Sequence, residues 1–358
     1  MRILIDVSHP AHVHLFRNFA LKMMRRGNTV AFTARDKDVT LSLLDHYRLP
    51  YTSLGINYKN AFSKIIGLIV FDIKLLIIAR RFKPDLFISH SSVYAAHVSL
   101  LTRKPCISLE DTGNREQVWL YKAFTNVILT PLSFHLNISK KQISYNSFHE
   151  LAYLHPDEYT PNPLVLNNIG IKEGEPYAIL RFVSWDASHD LYNKGLNLVE
   201  KRNLVKLLSE KIKVFVSSES DLPEEFEKYK LNSPPEDIHD LLFYAGLYIG
   251  EGATMASESA LLGTPALYIN SSYAGTIDFQ SKSGLLFWFK TYAGVVDKAI
   301  EIIGSPEYIE LKAANRKRIL KDHINLTNYL IWFVDNYPMS IKKGNEYKEN
   351  SSYTENEE

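Results

Sequence analysis

Four stretches of this chain group residue types that do chemistry on hydroxyls, sugars and phosphates. The first is Ser8-His9-Pro10-Ala11-His12-Val13-His14, three histidines within one turn where an apolar run meets a helical pattern. Imidazole exchanges a proton near neutral pH and a helix start attracts anions, so His9 or His12 is a candidate base; the plainer reading is a capped turn. His-x-x-His is shorter than the His-Glu-x-x-His zinc pair, and no metal ligands are expected. The second stretch is Glu110-Asp111. Adjacent carboxylates on a strand point to opposite faces, so one of them should face a ligand as base or sugar-hydroxyl acceptor. Alternatively, Asp111 caps a helix over 115–124. The third, Arg181 to Asp190, carries Arg181, Ser184 and His189 as phosphate-competent donors, or is a polar loop with a structural arginine.

The fourth stretch, Gly250-Glu251-Gly252-Ala253-Thr254-Met255-Ala256-Ser257-Glu258, is the most specific. Small residues let a ligand approach the backbone, and the helix start that follows offers unpaired N–H groups to a diphosphate. Ser257 lies within that helix, and Glu258 falls one turn after Thr254 on the same face, placed to accept both ribose hydroxyls. The alternative is an ordinary glycine turn with an exposed Glu258. No G-x-G-x-x-G, G-x-x-x-x-G-K-[ST] or G-x-S-x-G motif occurs. Asp36-Lys37-Asp38 matches a D-x-D, but reads better as a helix N-cap.

Positioning these groups takes strands that end beside them. Residues 2–7, 29–34, 50–54, 85–89, 105–109 and 126–130 read as strands, separated for the most part by helical patterns at 13–26, 39–47, 62–82 and 93–102. The alternation weakens over 145–169 and restarts with strands at 177–183, 213–217, 247–250, 265–269 and 285–289. Helical patterns follow at 196–210, 238–245, 254–262 and 295–303, and at 306–337 with a break near Asp322. Strand–helix alternation implies parallel sheets covered on both faces, with ligands bound beyond the strand C-terminal ends. The chain therefore reads as α/β, with two doubly wound domains facing a central cleft. The expected domains are 1–165 and 166–320, then a C-terminal helix at 321–340 and a polar, disordered tail at 341–358.

Composition excludes other classes. With 46% hydrophobic and 12% aromatic residues in 358, the chain can bury cores. A net charge of +1 argues against a nucleic-acid partner. The single Cys106 excludes an internal disulfide, as suits a cytoplasmic protein, and the N-terminus does not read as a signal peptide. Residues 61–79 are apolar but carry Lys64, Asp72 and Lys74, so they read as a buried or interfacial helix rather than a span.

The motifs at 9–16, 33–38, 181–190 and 252–265 together resemble the domain-of-unknown-function family 354 over about residues 1–335. That family is similar to GT-B enzymes, notably the GlcNAc transferase of peptidoglycan synthesis and the UDP-GlcNAc 2-epimerases. The resemblance implies a GT-B fold of two Rossmann-like domains, with a UDP-sugar held mostly by the C-terminal one. Glu258 matches the ribose-binding Glu, and Gly252, Ala253 and Thr254 match the diphosphate loop. His189 lies where the epimerases keep a functional histidine, and Glu110 or Asp111 where they keep a catalytic Glu. The expected activity is metal-independent glycosyl transfer from a nucleotide-sugar substrate, without a cofactor, to a cell-envelope glycan or lipid-linked acceptor. The alternatives are 2-epimerisation or non-enzymatic sugar binding.

The neutral total hides an asymmetry. Residues 1–160 hold 20 Lys+Arg against 12 Asp+Glu, and residues 161–358 hold 21 against 28. A basic first half with an apolar helix is what an anionic membrane surface would attract, giving an expected peripheral location on the inner face of the cell membrane.

Overall fold

The computed structural model describes residues 1–56, 61–182, 196–218, 222–271 and 275–347. The chain forms two compact units, Met1–Glu158 with Asp322–Glu358, and Tyr159–Lys321.

The first unit opens with β1 (Arg2–Val7), α1 (Pro10–Arg25), β2 (Thr29–Asp36), α2 (Thr40–His46), β3 (Tyr51–Ile56) and α3 (Ala61–Phe82). It continues with β4 (Leu86–His90), α4 (Val93–Thr102), β5 (Cys106–Leu109), α5 (Arg115–Tyr121), β6 (Val127–Pro131), β7 (Gln142–Tyr145) and α6 (Leu151–Leu154). Among the described residues these strands form one parallel sheet in the order β3-β2-β1-β4-β5-β6-β7. Near-continuous apolar strands such as Arg2–Val7, buried from Ile3 onward, are what a sheet covered on both faces requires. Leu4, Phe87 and Ile128 share a buried cluster with Leu75 of α3 and Val98 of α4.

The second unit contains β8 (Tyr177–Phe182), α7 (Leu198–Ser209), β9 (Lys213–Ser218), α8 (Ile238–Tyr244), β10 (Leu247–Gly250) and α9 (Ala253–Leu262). Then come β11 (Ala266–Ile269), α10 (Gly275–Ser281), β12 (Leu286–Phe289), α11 (Val295–Gly304) and α12 (Glu307–Asp322). Its parallel sheet has the order β12-β11-β10-β8-β9. Its core packs Leu180, Ile249 and Leu267 against Val205 of α7 and Ala299 of α11. The chain then returns to the first unit as α13 (Leu326–Asp335) and α14 (Ser340–Lys343). Two Rossmann-like, doubly wound parallel sheets in one chain are the GT-B architecture expected above.

Several local expectations need correcting. β7 went unread, because it is four residues of mixed polarity reached from β6 without an intervening helix. Asp36 is not a helix cap: it ends β2, and α2 starts after Val39 with no side-chain cap. Asp111 does not cap α5 either, since Asn114 Oδ1 accepts from Glu116 N–H and Gln117 N–H at 3.1 and 3.3 Å. The tail is ordered through residue 347 rather than disordered from 341: Gly344 is tucked against Phe333, Tyr329 and Ile143, and Ser144 N–H donates to Asn345 Oδ1 at 3.0 Å. Residues 348–358 lie outside the described residues. The helix break near Asp322 is present between α12 and α13. No helix among the described residues is long and apolar enough to cross a membrane.

Candidate functional site

Each sheet has a point where the winding reverses, and parallel α/β sheets bind ligands there, beyond the strand C-termini. In the first unit the chain winds outward from β1 to β2 and β3, then back across to β4, so the switch lies between β1 and β4.

His9 directly follows this point as the N-cap of α1; its Nδ1 accepts from Ala11 N–H at 3.2 Å, and Pro10 sits at the first helical position. His12 lies one turn in, where its Nδ1 accepts from Ser8 N–H at 3.4 Å. The His12 ring stacks on that of His90, the last residue of β4, with centroids 4.4 Å apart. Asp111, just beyond β5, joins two histidines. Its Oδ1 is 3.0 Å from His90 Nε2 and its Oδ2 is 3.0 Å from His149 Nδ1. His149 sits between β7 and α6, and its ring meets His90 edge-on at 5.1 Å.

Burial and the neighbouring His90 hold His12 well below the usual imidazole range. Burial would raise Asp111, but His149 and His90 outweigh it and hold the carboxyl well below the usual carboxylate range. His14, the third histidine of the opening motif, belongs elsewhere: it is buried, with its ring 5.4 Å from that of Tyr153.

Glu110 and Asp111 have opposite fates. Glu110 is 1% exposed, and both its oxygens are occupied. Oε1 accepts from Thr112 N–H, Thr112 Oγ1 and Gly113 N–H, each at 2.9 Å. Oε2 accepts from Ser91 Oγ and Tyr121 OH, each at 2.7 Å. Glu110 therefore pins the loop after β5, while Asp111 faces the histidines. Below them Asp6, which no motif marked, accepts from Thr33 Oγ1 at 2.6 Å and Ser92 Oγ at 2.5 Å, tying β1 to β2 and to the start of α4. His90 and His149 were also missed. A polar residue ending the apolar strand 86–90 was a usable signal for His90; His149 offered none.

In the second unit the switch lies between β8 and β10, where Arg181 and Gly250 are direct register partners. Arg181 Nη1 donates to Ser217 Oγ on β9 at 2.7 Å. Gly250 has to be glycine: a Cβ there would sit 2.7 Å from Tyr248 Cζ and 3.0 Å from Arg181 Cβ. Glu251 is buried, and its Oε1 accepts from Leu196 N–H at 2.6 Å.

Gly252 is the N-cap of α9 and brings no side chain to the first-turn amides. Ala253 opens the helix and Thr254 is exposed. Ser257 Oγ accepts from Gln280 Nε2 at 2.7 Å. Glu258 is 4% exposed, with Oε1 3.2 Å from His239 Nε2 on α8, rather than the exposed helical residue of the alternative reading. Ser184 and His189 lie outside the described residues.

A family model described as "Protein of unknown function (DUF354)" matches residues 1–327. The chain belongs to the DUF354 family. This DUF354 chain is 26% identical over 276 residues to an uncharacterized protein of Methanocaldococcus jannaschii, covering 74% of this chain and 80% of that one. Among solved structures, it is similar to the spinosyn forosaminyltransferase, with TM-score 0.64, 13% identity, and coverage of 96% of this chain and 99% of that one. It is also similar to a putative UDP-N-acetylglucosamine 2-epimerase from Listeria monocytogenes (TM-score 0.67, 11% identity, 94% and 96% covered). A UDP-GlcNAc 2-epimerase from Neisseria meningitidis bound to UDP-GlcNAc gives TM-score 0.62 at 13% identity, with 90% and 99% covered. At these identities the likeness shows the shared fold.

Proposed function

We propose that this DUF354 chain is a glycosyltransferase that moves a sugar from a nucleoside-diphosphate donor to an acceptor hydroxyl. The observation that carries the reading is the start of α9. It lies at the switch point of the second sheet, capped by a glycine, beside Arg181 and one turn ahead of Glu258. First-turn amides that meet no side-chain cap among the described residues are what a diphosphate leaving group needs, and Arg181, whose guanidinium is held by Ser217 on β9, is the cation we assign to it. The donor is a UDP-sugar, as for the UDP-GlcNAc-bound epimerase of the same fold.

In the first unit His12 takes the proton from the acceptor hydroxyl. The acceptor oxygen bonds to the anomeric carbon, the anomeric carbon–phosphate oxygen bond breaks, and the nucleoside diphosphate leaves with that electron pair. The lowered His12 pKa keeps the imidazole neutral at physiological pH while making it a weaker base than an ordinary histidine, and the nitrogen that takes the proton is Nδ1, which must first release Ser8 N–H. The chemistry so drawn calls on no cofactor.

The acceptor is a cell-envelope glycan or lipid-linked sugar. An apolar face on the first unit supports this: Ile69, Ile73 and Ile77 of α3 are 57%, 53% and 47% exposed. At 100° per residue these three and Arg80 fall within an arc of about 80°. Leu101 of α4 and Trp119 of α5 are 64% and 72% exposed, and Arg81, Arg103 and Lys104 are exposed basic residues on the same helices and at the end of α4. Such a face docks on an anionic membrane at the cytoplasmic surface.

The five donors on Glu110 commit it to holding its loop and remove it as an epimerase's catalytic carboxylate, while Asp111, which faces the histidines, keeps 2-epimerisation as the second reading. Incubation with UDP-GlcNAc and no acceptor tests this. A transferase leaves the donor intact or slowly hydrolysed, while appearance of the ManNAc epimer refutes the reading.

A further inference from the structure

We infer that His90, Asp111 and His149 form a binding site for one divalent transition-metal ion of the zinc class. The three residues come from separate segments, at the ends of β4 and β5 and between β7 and α6, and converge at one end of the sheet. One ligand atom from each lies within 4.8 Å of the others, and Asp111 stands 3.0 Å from a nitrogen of each histidine. Tetrahedral coordination at about 2.0–2.1 Å places ligand atoms roughly 3.4 Å apart. The two carboxylate–imidazole separations of 3.0 Å lie a few tenths of an ångström below that value, and the remaining separation is within 4.8 Å.

The side chains of His90, Asp111 and His149 are 11%, 26% and 8% exposed, so the cluster is sheltered yet reachable. Among the described residues His149 Nε2 is buried without a hydrogen-bond partner, and Asp111 holds the ring through Nδ1. Glu110, the other carboxylate alongside, is fully engaged with its five donors and does not compete. Two imidazoles and one carboxylate suit zinc, cobalt or iron(II) over magnesium or calcium, which prefer oxygen donors. Three protein ligands leave a coordination position open for an oxygen of a small molecule. His12, stacked on His90, stands beside it. The role this gives the ion, next to the acceptor hydroxyl, rests on the function proposed above; binding of the ion does not.

The test is titration of Co2+ into the untagged, chelator-stripped full chain. The expected result is one saturable site with a visible d–d absorption band, displaced by Zn2+. His149→Ala and Asp111→Asn should each weaken binding by at least about 100-fold, since even outer-shell partners are worth 10–100-fold. His135→Ala, on the exposed loop before β7, should change nothing. Absence of a saturable site, or equal loss in His135→Ala, overturns the inference. X-ray absorption on the Co2+-loaded unmutated chain gives an answer free of folding defects. Two imidazoles in the shell support the site, and an all-oxygen or sulfur shell refutes it. Neither readout uses a nucleotide, so failure of nucleotide binding with this site intact refutes the proposed function alone.

Discussion

Replacing Glu258 separates two jobs that one carboxylate does in the second unit. It is buried against His239 Nε2 at 3.2 Å, and it lies one turn beyond the amides proposed to hold a diphosphate. Glu258→Ala deprives the buried His239 of this acceptor and opens a cavity, which should cost about 1–3 kcal/mol of stability. If the carboxylate accepts ribose hydroxyls, its loss also removes charge-assisted hydrogen bonds worth about 1.5–3 kcal/mol, or roughly 10- to 150-fold in Kd. Glu258→Gln separates the two effects. Its amide oxygen still accepts from His239, so urea unfolding should return to within about 1 kcal/mol of the parent, while the ribose bonds lose their charge assistance. Both variants would be titrated with UDP calorimetrically, alongside urea melts. Parent-like UDP affinity in Glu258→Gln, with the parent binding measurably, would refute the ribose role and leave Glu258 a structural partner of His239.

Gly250→Ala should destabilise by about 1–3 kcal/mol in urea melts, because its Cβ overlaps the Tyr248 ring and crowds Arg181. Burial pushes Lys312 down from 10.5 to about 8. The unfolded chain therefore holds this proton over a pH range where the folded chain has released it, and stability rises by up to about 3 kcal/mol between pH 8 and 10.5. Urea melts of Lys312→Met should lack that rise, and a parallel profile for the two proteins contradicts the assignment. On the first unit, Arg80→Glu with Ile73→Glu should reduce co-sedimentation with anionic vesicles, each lost basic charge being worth about 1 kcal/mol or roughly fivefold. Unchanged co-sedimentation, or none by the parent, removes the membrane proposal.

Much of this molecule was legible because parallel sheets announce themselves. Runs such as Ile3–Ile5 and Leu247–Ile249 are apolar on both faces, and glycine ends the helices at Gly27 and Gly263 with positive φ. The strand-end rule then pointed to His9, His12, Arg181 and the start of α9, all of which lie at the two winding reversals. What stayed hidden depended on strand order. His90 and His149 are ordinary lone histidines until β4, β5 and β7 are laid side by side, and only then do they meet Asp111. Glu110 and Asp111 are adjacent, and alternation said only that one faces the site. The choice came from Thr112, Gly113, Ser91 and Tyr121, which occupy Glu110. Glu258 read as a ribose acceptor on the face of Thr254, and nothing local to it shows His239, which arrives from the preceding helix. The polar tail after 341 looked unable to bury anything, yet Gly344 fits where a side chain would strike Phe333 and Tyr329.

The central claim is that the second sheet's switch point holds a nucleoside diphosphate. Hydrogen–deuterium exchange of the full chain with and without saturating UDP tests it most directly. Bound UDP should slow exchange in peptides covering residues 250–258 and the end of β8 at Arg181–Phe182, with α11 unchanged. No protection, or protection confined to other segments, would contradict it.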